Sequence, residues 1–342
     1  MAHKAVFFNL EPWAKEYLAK NGKLATAGVE VGFEDHPLDA AHLPADPGFD
    51  IAGIFVESRM DAAALDAIPN LKFIAALSTG YDHIDLAKCA EKGIAISSVP
   101  SYGENTVAEF AFGLILALSR KICAAHRQVR EEGDFNNEDL RGFDLAGKTL
   151  GVVGTGRIGQ HMVRMAKGFE MNVVAFDAYP NEGFAKEAGF SYVPLNDLLA
   201  QSDIITLHVP YMPATHHLIN KDNVGLIKKG AYLINTARGA VVETDALVTA
   251  LKNGVLAGAG LDVLEEEGVI KEEMEYVTKS SGESHDLKTV LEDHVLIDMP
   301  NVIVTPHNAF NTKEAFVRIL DTTVDNIVGF AINAPINLVQ QK

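Results

Sequence analysis

Short apolar runs rich in β-branched and aromatic residues alternate with helically spaced segments along the whole 342-residue chain. AVFFN, VEVGF, DIAGIFV, KFIAAL and IAISSV fall in the first hundred residues, with EPWAKEYLAKNG and MDAAALDAIPN between them. A second series starts at KTLGVVG. It predicts strands at Thr149–Gly154, Asn172–Asp177, Asp203–Val209, Ala231–Thr236, Leu256–Val263 and Val302–Thr305. Parallel neighbours need a long crossover, and a helix supplies it, so this alternation predicts α/β architecture with helices covering parallel sheets. The length exceeds what one core usually holds, and two domains are expected.

Between the two series runs a helical pattern from about Asn105 to about Glu132. Thr106 and Glu109, three apart, read as a capping box at its start. The segment reads either as the connection between domains or as one more covering helix. A polar stretch rich in Glu, Lys and Ser, roughly Glu265 to Asp293, reads as a surface insertion. The tail from Asn311 to about Ala334 reads as a helix with Ala315, Phe316, Ile319, Leu320 and Ile327 on one face.

The formal net charge of −17 excludes a diffuse basic surface, and with it nucleic acid as an expected partner. An anionic substrate would need a local cation. The longest apolar run, FAFGLILAL, is too short to span a membrane and reads as a buried helix. The N-terminal MAHKAVFFNLEPW lacks a signal-peptide layout. Two cysteines, Cys89 and Cys123, make neither a disulfide framework nor a metal pattern, so a reduced, cytoplasmic setting is expected.

The segment LGVVGTGRIGQHM places Gly154, Gly156 and Gly159 between a strand and a helical pattern carrying Ile158, Met162, Ala166 and Phe169. Glycines mark many tight turns, but here the turn opens a helix, whose free N–H groups and dipole favour a pyrophosphate. Asp177 ends the next strand, 18 residues after Gly159. That is where a dinucleotide site needs an acid for the ribose hydroxyls. A carboxylate there would repel a 2′-phosphate, and AYPNEG after it offers no cation, so NAD is favoured over NADP.

In open α/β sheets, ligands bind beyond the carboxyl ends of the strands. Those ends carry Val209-Pro210, Thr236-Ala237-Arg238-Gly239, Asp262-Val263 followed by Glu265, Glu266 and Glu267, and Thr305-Pro306-His307-Asn308-Ala309. An Arg, an acid and a His on one edge suit hydride transfer to a 2-oxo acid. The guanidinium forks onto a carboxylate, and the imidazole gives or takes a proton near neutrality. A neighbouring carboxylate favours imidazolium and fixes the ring. Spacing does not decide which glutamate serves. Taken singly, His307 could be a structural histidine and Arg238 a turn cap. His216 and His217, adjacent, read as loop residues and not as metal ligands.

GTGRIG, HVP, INTARGAVV, LDVLEEE and PNVIVTPHNAF, in this order, resemble the D-isomer-specific 2-hydroxyacid dehydrogenases, most nearly their D-lactate dehydrogenase branch. The resemblance runs from about Leu77 to about Phe310. It implies two doubly wound parallel-sheet domains. One is a flavodoxin-like substrate domain split over 1–103 and 308–342, the other a Rossmann NAD-binding domain over 104–307. It also implies a homodimer. By matching motifs, Arg238 would bind the substrate carboxylate, His307 would be the general acid/base, and Glu267 would pair with it. Thr79 and Gly80 would offer backbone N–H groups to the substrate, and Tyr102 would contact it. Arg157 and Ile158 would meet the pyrophosphate and Asp177 the ribose. Val209, Pro210, Thr215, Thr236, Ala237 and Asp262 would line the adenine and nicotinamide pockets.

The implied activity is NADH-dependent reduction of a pyruvate-like 2-oxo acid to the D-2-hydroxy acid. The alternatives are a hydroxypyruvate/glyoxylate reductase-type member and a non-enzymatic NAD-sensing protein of the same fold. The chain departs from the lactate pattern His-x-Ala-Phe-Tyr-Thr by carrying Asn311 in place of the tyrosine, and its segment between Glu267 and Met299 is long. The departures leave the substrate's side chain open.

Overall fold

In the computed structural model, which describes residues 3–44, 46–267 and 287–340, the chain divides into two compact units. One is Met1–Tyr102 with Thr312–Lys342, the other Gly103–Asn311. Both are parallel α/β sandwiches.

The first unit holds β1 (His3–Phe8), β2 (Val29–Glu34), β3 (Ile51–Ile54), β4 (Phe73–Ala76) and β5 (Ala95–Ser97) in the order β2-β1-β3-β4-β5. That is the flavodoxin-like doubly wound order. IAGI and FIAA are buried throughout, as strands covered on both faces must be. On one face, α3 (Ala62–Ala67) and α4 (Leu86–Lys92) start at Asp61 and Asp85, whose carboxylates accept the N–H groups of Ala64 and Lys88, each at 2.9 Å. The unit also carries α1 (Pro12–Ala19), α2 (Gly22–Thr26) and the C-terminal helix α12 (Lys313–Ala331). In α12, Ala315, Ile319, Leu320 and Ile327 are buried, and Phe330 stacks on Phe73 at 4.5 Å. Phe316 stacks on Phe55.

The second unit holds β6 (Thr149–Val153), β7 (Asn172–Phe176), β8 (Ser191–Tyr192), β9 (Ile204–Leu207), β10 (Ala231–Asn235), β11 (Leu256–Leu261) and β12 (Val302–Val304). Their order is β12-β11-β10-β9-β6-β7-β8, so the winding reverses between β6 and β9. Such a reversal opens a crevice at the strands' carboxyl ends. One face is covered by α5 (Glu104–Ser119), α7 (Arg157–Gly168) and α8 (Glu182–Ala188), the other by α9 (Leu195–Gln201), α10 (Thr244–Lys252) and α11 (Leu287–Asp298).

The single helix predicted over 105–132 is three pieces. α5 stops at Ser119, α6 covers Ile122–Arg127, and a π-turn covers Gln128–Glu132, with Lys121 left-handed at φ 51° between the first two. The capping box is also corrected. α5 begins at Glu104 behind Gly103, with no side-chain cap, so Thr106 lies inside the first turn and is buried. Glu109 accepts from Asn105 Nδ2 instead, at 3.0 Å. Phe169 lies just past the end of α7 and stacks on Phe112 of α5.

The polar segment from Glu265 is no plain surface insertion at its two ends. Glu265 and Glu267 bond to histidines, and α11 buries Val290, Asp293 and Leu296. The remainder of that segment, 268–286, lies outside the described residues.

Candidate active site

At the end of β6 the chain turns through Gly154, at φ 90°, into α7. The three glycines do different work. A Cβ on Gly154 would lie 2.7 Å from the His208 carbonyl, and one on Gly159 would lie 2.0 Å from the Gly154 carbonyl. Those two let backbone meet backbone. A Cβ on Gly156 would meet nothing within 4 Å. Gly156 is also the N-cap of α7 and supplies no side-chain acceptor to the helix's first N–H groups. Arg157 and Ile158 form the first turn. Arg157 is exposed, 3.6 Å from Glu104, and Ile158 packs inward.

Asp177 follows β7. One oxygen accepts the Thr155 N–H at 2.6 Å and its hydroxyl at 3.0 Å, and the other accepts the Tyr179 N–H at 2.8 Å. The carboxylate thus ties the glycine turn to the neighbouring strand end and keeps lone pairs for further donors. Tyr192 completes the group, its hydroxyl 2.7 Å from that of Thr155.

After β9 come His208, Val209 and Pro210. Thr215 closes the following turn by donating to the Pro210 carbonyl at 2.6 Å. The His208 ring meets the Thr206 hydroxyl at 2.8 Å through Nε2, while its buried Nδ1 has no partner among the described residues. Burial pushes this histidine down to about 3. It is a neutral structural group.

After β10, Asn235 is 1 % exposed. Its side chain accepts the Ala237 N–H at 3.0 Å and donates to the Arg238 carbonyl at 2.9 Å, which shapes the Thr236–Arg238 loop. Thr236 Oγ1 is buried without a hydrogen-bond partner among the described residues. Arg238 Nη1 donates to the Ala237 carbonyl at 2.8 Å. Gly239 is required by close approach, since a Cβ there would lie 2.1 Å from the carbonyl of Leu264 and 2.4 Å from Glu265 N. The Arg238 loop therefore rests directly on the glutamate turn.

After β11, Asp262 is 1 % exposed. Its carboxylate accepts the Thr305 hydroxyl at 2.6 Å and the N–H groups of Asn308 and Ala309, each at 2.8 Å. Burial raises its pKa against the pull of these donors. These bonds frame the loop after β12 in which His307 sits at φ 52°. His307 Nδ1 lies 2.7 Å from Glu267 Oε1, and Glu267 Oε2 also accepts the Leu264 N–H at 3.3 Å. Glu265 points elsewhere. It bonds His217 Nε2 at 2.6 Å and the Thr244 hydroxyl at 2.8 Å. His217 stacks on His216 at 3.9 Å, and among the described residues no His/Cys/Asp/Glu group is arranged to hold a metal.

Within Gly103–Asn311 the structure thus joins His307 to Glu267 and seats the Arg238 loop against the same turn. Sequence reasoning missed Asn235, Asp293, Thr155 and Tyr192, and saw Asp262 only as a pocket wall. Asn235 and Asp262 each end a buried strand, which is the one signal that marks them. In the other unit, Thr79 and Gly80 lie in the loop after β4, where the Thr79 hydroxyl donates to the Val99 carbonyl at 2.7 Å. The Tyr102 carbonyl accepts from Arg318 Nε at 2.5 Å.

Residues 112–309 match the family described as D-isomer specific 2-hydroxyacid dehydrogenase, NAD binding domain. The chain belongs to the D-isomer-specific 2-hydroxyacid dehydrogenases. It is 38 % identical to 2-hydroxyacid dehydrogenase A of Aspergillus oryzae over 96 % of this chain and 92 % of that protein. It is 37 % identical to a glyoxylate reductase of Korarchaeum cryptofilum over 83 % of this chain and 80 % of that one. Its structure superposes on D-lactate dehydrogenase of Aquifex aeolicus complexed with NAD and lactic acid, with a TM-score of 0.83 and 34 % identity, covering 96 % of each chain. As a member of these dehydrogenases, the chain is an NAD-dependent oxidoreductase acting on CH–OH groups. Its residues fit that cofactor. Open space over Gly156, the N-terminus of α7 without a side-chain cap, a carboxylate at Asp177 and a Thr236 hydroxyl unpartnered among the described residues line one edge of one sheet.

Proposed function

We propose that this dehydrogenase reduces a short 2-oxo acid to the D-2-hydroxy acid, with His307 as the proton donor and Arg238 as the carboxylate's partner. The bond between His307 and Glu267 carries the reading. With Nδ1 committed to Glu267, Nε2 on the far side of the ring is the nitrogen left to deliver a proton to the substrate oxygen. The paired carboxylate holds the ring's orientation and offsets the positive charge of imidazolium. The nicotinamide, when bound, supplies the hydride. A guanidinium fork matches a carboxylate in plane and charge, and a chain of net charge −17 needs such a local cation to hold an anion. Gly154, Gly156, Gly159, Arg157 and Ile158 would hold the pyrophosphate and Asp177 the ribose. Val209, Pro210, Thr215, Thr236, Ala237 and Asp262 would line the remainder, with Thr79, Gly80 and Tyr102 as substrate contacts.

Asn311 favours a second reading within the class, a glyoxylate or hydroxypyruvate reductase. Its side chain donates to Asn308 Oδ1 at 2.9 Å, which puts a polar group where lactate-type enzymes carry an aromatic. A homodimer and a cytoplasmic setting belong to the same proposal. Phe135, 84 % exposed, and Ile122, 52 % exposed, support an apolar contact with a second copy. Both cysteines are free thiols. No described helix is long and apolar enough to cross a membrane.

The test is His307→Gln, assayed by NADH absorbance with pyruvate, hydroxypyruvate, glyoxylate and phenylpyruvate. Turnover should fall about 10²–10⁴-fold, the usual contribution of a general acid, while NADH still binds. Near-wild-type turnover removes His307 from the mechanism. Wild-type protein that binds NADH but oxidises none with any substrate favours a sensing protein.

A further inference from the structure

The turn Glu265–Glu267 is held at three points, one per residue. The Glu265 carboxylate is fixed by His217 and Thr244, and the Glu267 carboxylate by His307 and the Leu264 N–H. Between them, the Glu266 backbone N–H donates to Asp293 Oδ2 at 3.1 Å. Asp293 comes from α11, is 0 % exposed, and leaves Oδ1 buried without a partner among the described residues. A buried carboxylate facing three acids with one orphaned oxygen is an odd choice for a core, where an apolar residue would cost less.

We propose that Asp293, acting in its protonated form, is a positioning residue that fixes the glutamate turn and thereby sets Glu267 on His307. The proposal rests on the reductase reading above. In the neutral form one oxygen accepts from Glu266 and the O–H is a donor available to the surrounding acids. Ionisation removes that donor and adds a fourth negative charge beside Glu265, Glu266 and Glu267. Burial, helped by those three charges, pushes Asp293 up to about 7 in spite of the Glu266 hydrogen bond. The arrangement is therefore built for the neutral acid and comes under pressure to open as pH rises through neutrality.

Among the described residues, no cation bears on Asp293. On α10, packed against α11, Asp245 is engaged by Lys288 at 2.8 Å, and the same lysine holds Glu292 at 3.2 Å on the helix that carries Asp293. His294 is next in sequence on that helix. The adjoining β12 is Val302-Ile303-Val304 and offers no titratable group. The Arg238 loop rests on the same turn through Gly239, so a shift of Glu266 would be felt by both reacting side chains.

The experiment measures kcat and KM from pH 5.5 to 8.5 for the wild type, D293N, D293A and H307Q, with NADH and the fastest 2-oxo acid of the panel. D293N keeps an acceptor for Glu266 and a donor at every pH. Its kcat divided by that of the wild type should rise several-fold through an inflection near pH 7. Taking the ratio removes every pH effect that the two proteins have in common. D293A removes the anchor and should lose about ten- to a hundredfold in kcat, the scale set by small misplacements of reacting groups, with KM for NADH unchanged. A pH-independent D293N ratio overturns the proposal, whether or not D293A folds. D293A with kcat within twofold of the wild type, well below its Tm, also overturns it. H307Q separates the two readings. If H307Q is dead while the D293N ratio is flat, only the role of Asp293 falls. If H307Q keeps wild-type turnover, the reductase mechanism falls and takes this inference with it.

Discussion

His307 holds its ring on a left-handed backbone, a conformation that costs a side-chain-bearing residue about 1–2 kcal/mol. Asp262 offsets that cost, since its carboxylate accepts the N–H groups of the next two residues and its carbonyl accepts that of His307 at 2.9 Å. The places of His307 and Arg238 just beyond strands were legible because a strand end is a position that sequence periodicity locates. Asp262 and Asn235, which aim their loops, were not, because a hydrogen bond to a backbone N–H depends on φ and ψ that no spacing rule supplies. Asp177 shows both sides. Its place after β7 was legible and underlies the proposed ribose contact, while its bonds to Thr155 and Tyr179 are visible only in three dimensions. Replacing it with serine removes the charge and keeps a hydroxyl. Asp177→Ser should shift the ratio of kcat/KM for NADPH over NADH upward by at least about tenfold, or about 1.4 kcal/mol. An unchanged ratio means the carboxylate does not set cofactor choice.

The glycine turn and α7 act as a unit, and the roles of its glycines differ in a way that mutation can separate. Gly159→Ala puts a methyl against the Gly154 carbonyl, a backbone atom that can move only if the turn opens. It should cost about 1–3 kcal/mol of stability, the scale of overpacking, and weaken NADH binding. Gly156→Ala meets nothing and has negative φ, so its Tm should stay near the wild-type value. If the open space is where the pyrophosphate lies, that methyl still weakens NADH by tenfold or more. Titration calorimetry beside thermal melts checks both. Equal NADH affinity in Gly156→Ala would move the cofactor off this turn. At the same scale the strands were easy to read, because a covered parallel strand is a continuous apolar run. The long helix was not. ILALSRKICAA carries no Gly or Pro to mark the break, and only the fold reveals that the Phe143 N–H donates at 2.9 Å to the Ser119 carbonyl that another helical turn would have used. Gly142 makes that approach possible, since a Cβ there would lie 2.0 Å from the same carbonyl.

Two buried groups in the unit Gly103–Asn311 pull the pH dependence of stability in opposite directions. Asp293 rises from 3.8 to about 7 on folding. The unfolded chain loses its proton first, so the stability linked to Asp293 is full below pH 3.8 and is lost as pH climbs to 7, by about 4 kcal/mol at most. His208 falls from 6.5 to about 3 on folding. Here the unfolded chain gains a proton first, so stability is full above pH 6.5 and is lost as pH drops towards 3, by about 5 kcal/mol at most. Between pH 3.8 and 6.5 each slope is about 1.4 kcal/mol per pH unit, with opposite sign, and the two cancel. The wild type should therefore show little pH dependence from this pair over that window. D293N removes one slope and exposes the other. Its stability relative to the wild type should grow as pH rises from 4 to 7 and level off above, ending up to about 4 kcal/mol higher at pH 8 than at pH 4. Urea denaturation of both proteins at pH 4, 6 and 8, followed by circular dichroism, reads this directly. A difference in midpoint that is the same at all three values would mean that Asp293 ionises in the fold as freely as in the unfolded chain. The sign of the effect depends on the three glutamates and the loss of water around one carboxyl, so it is independent of whether the turn they share also steers the proton.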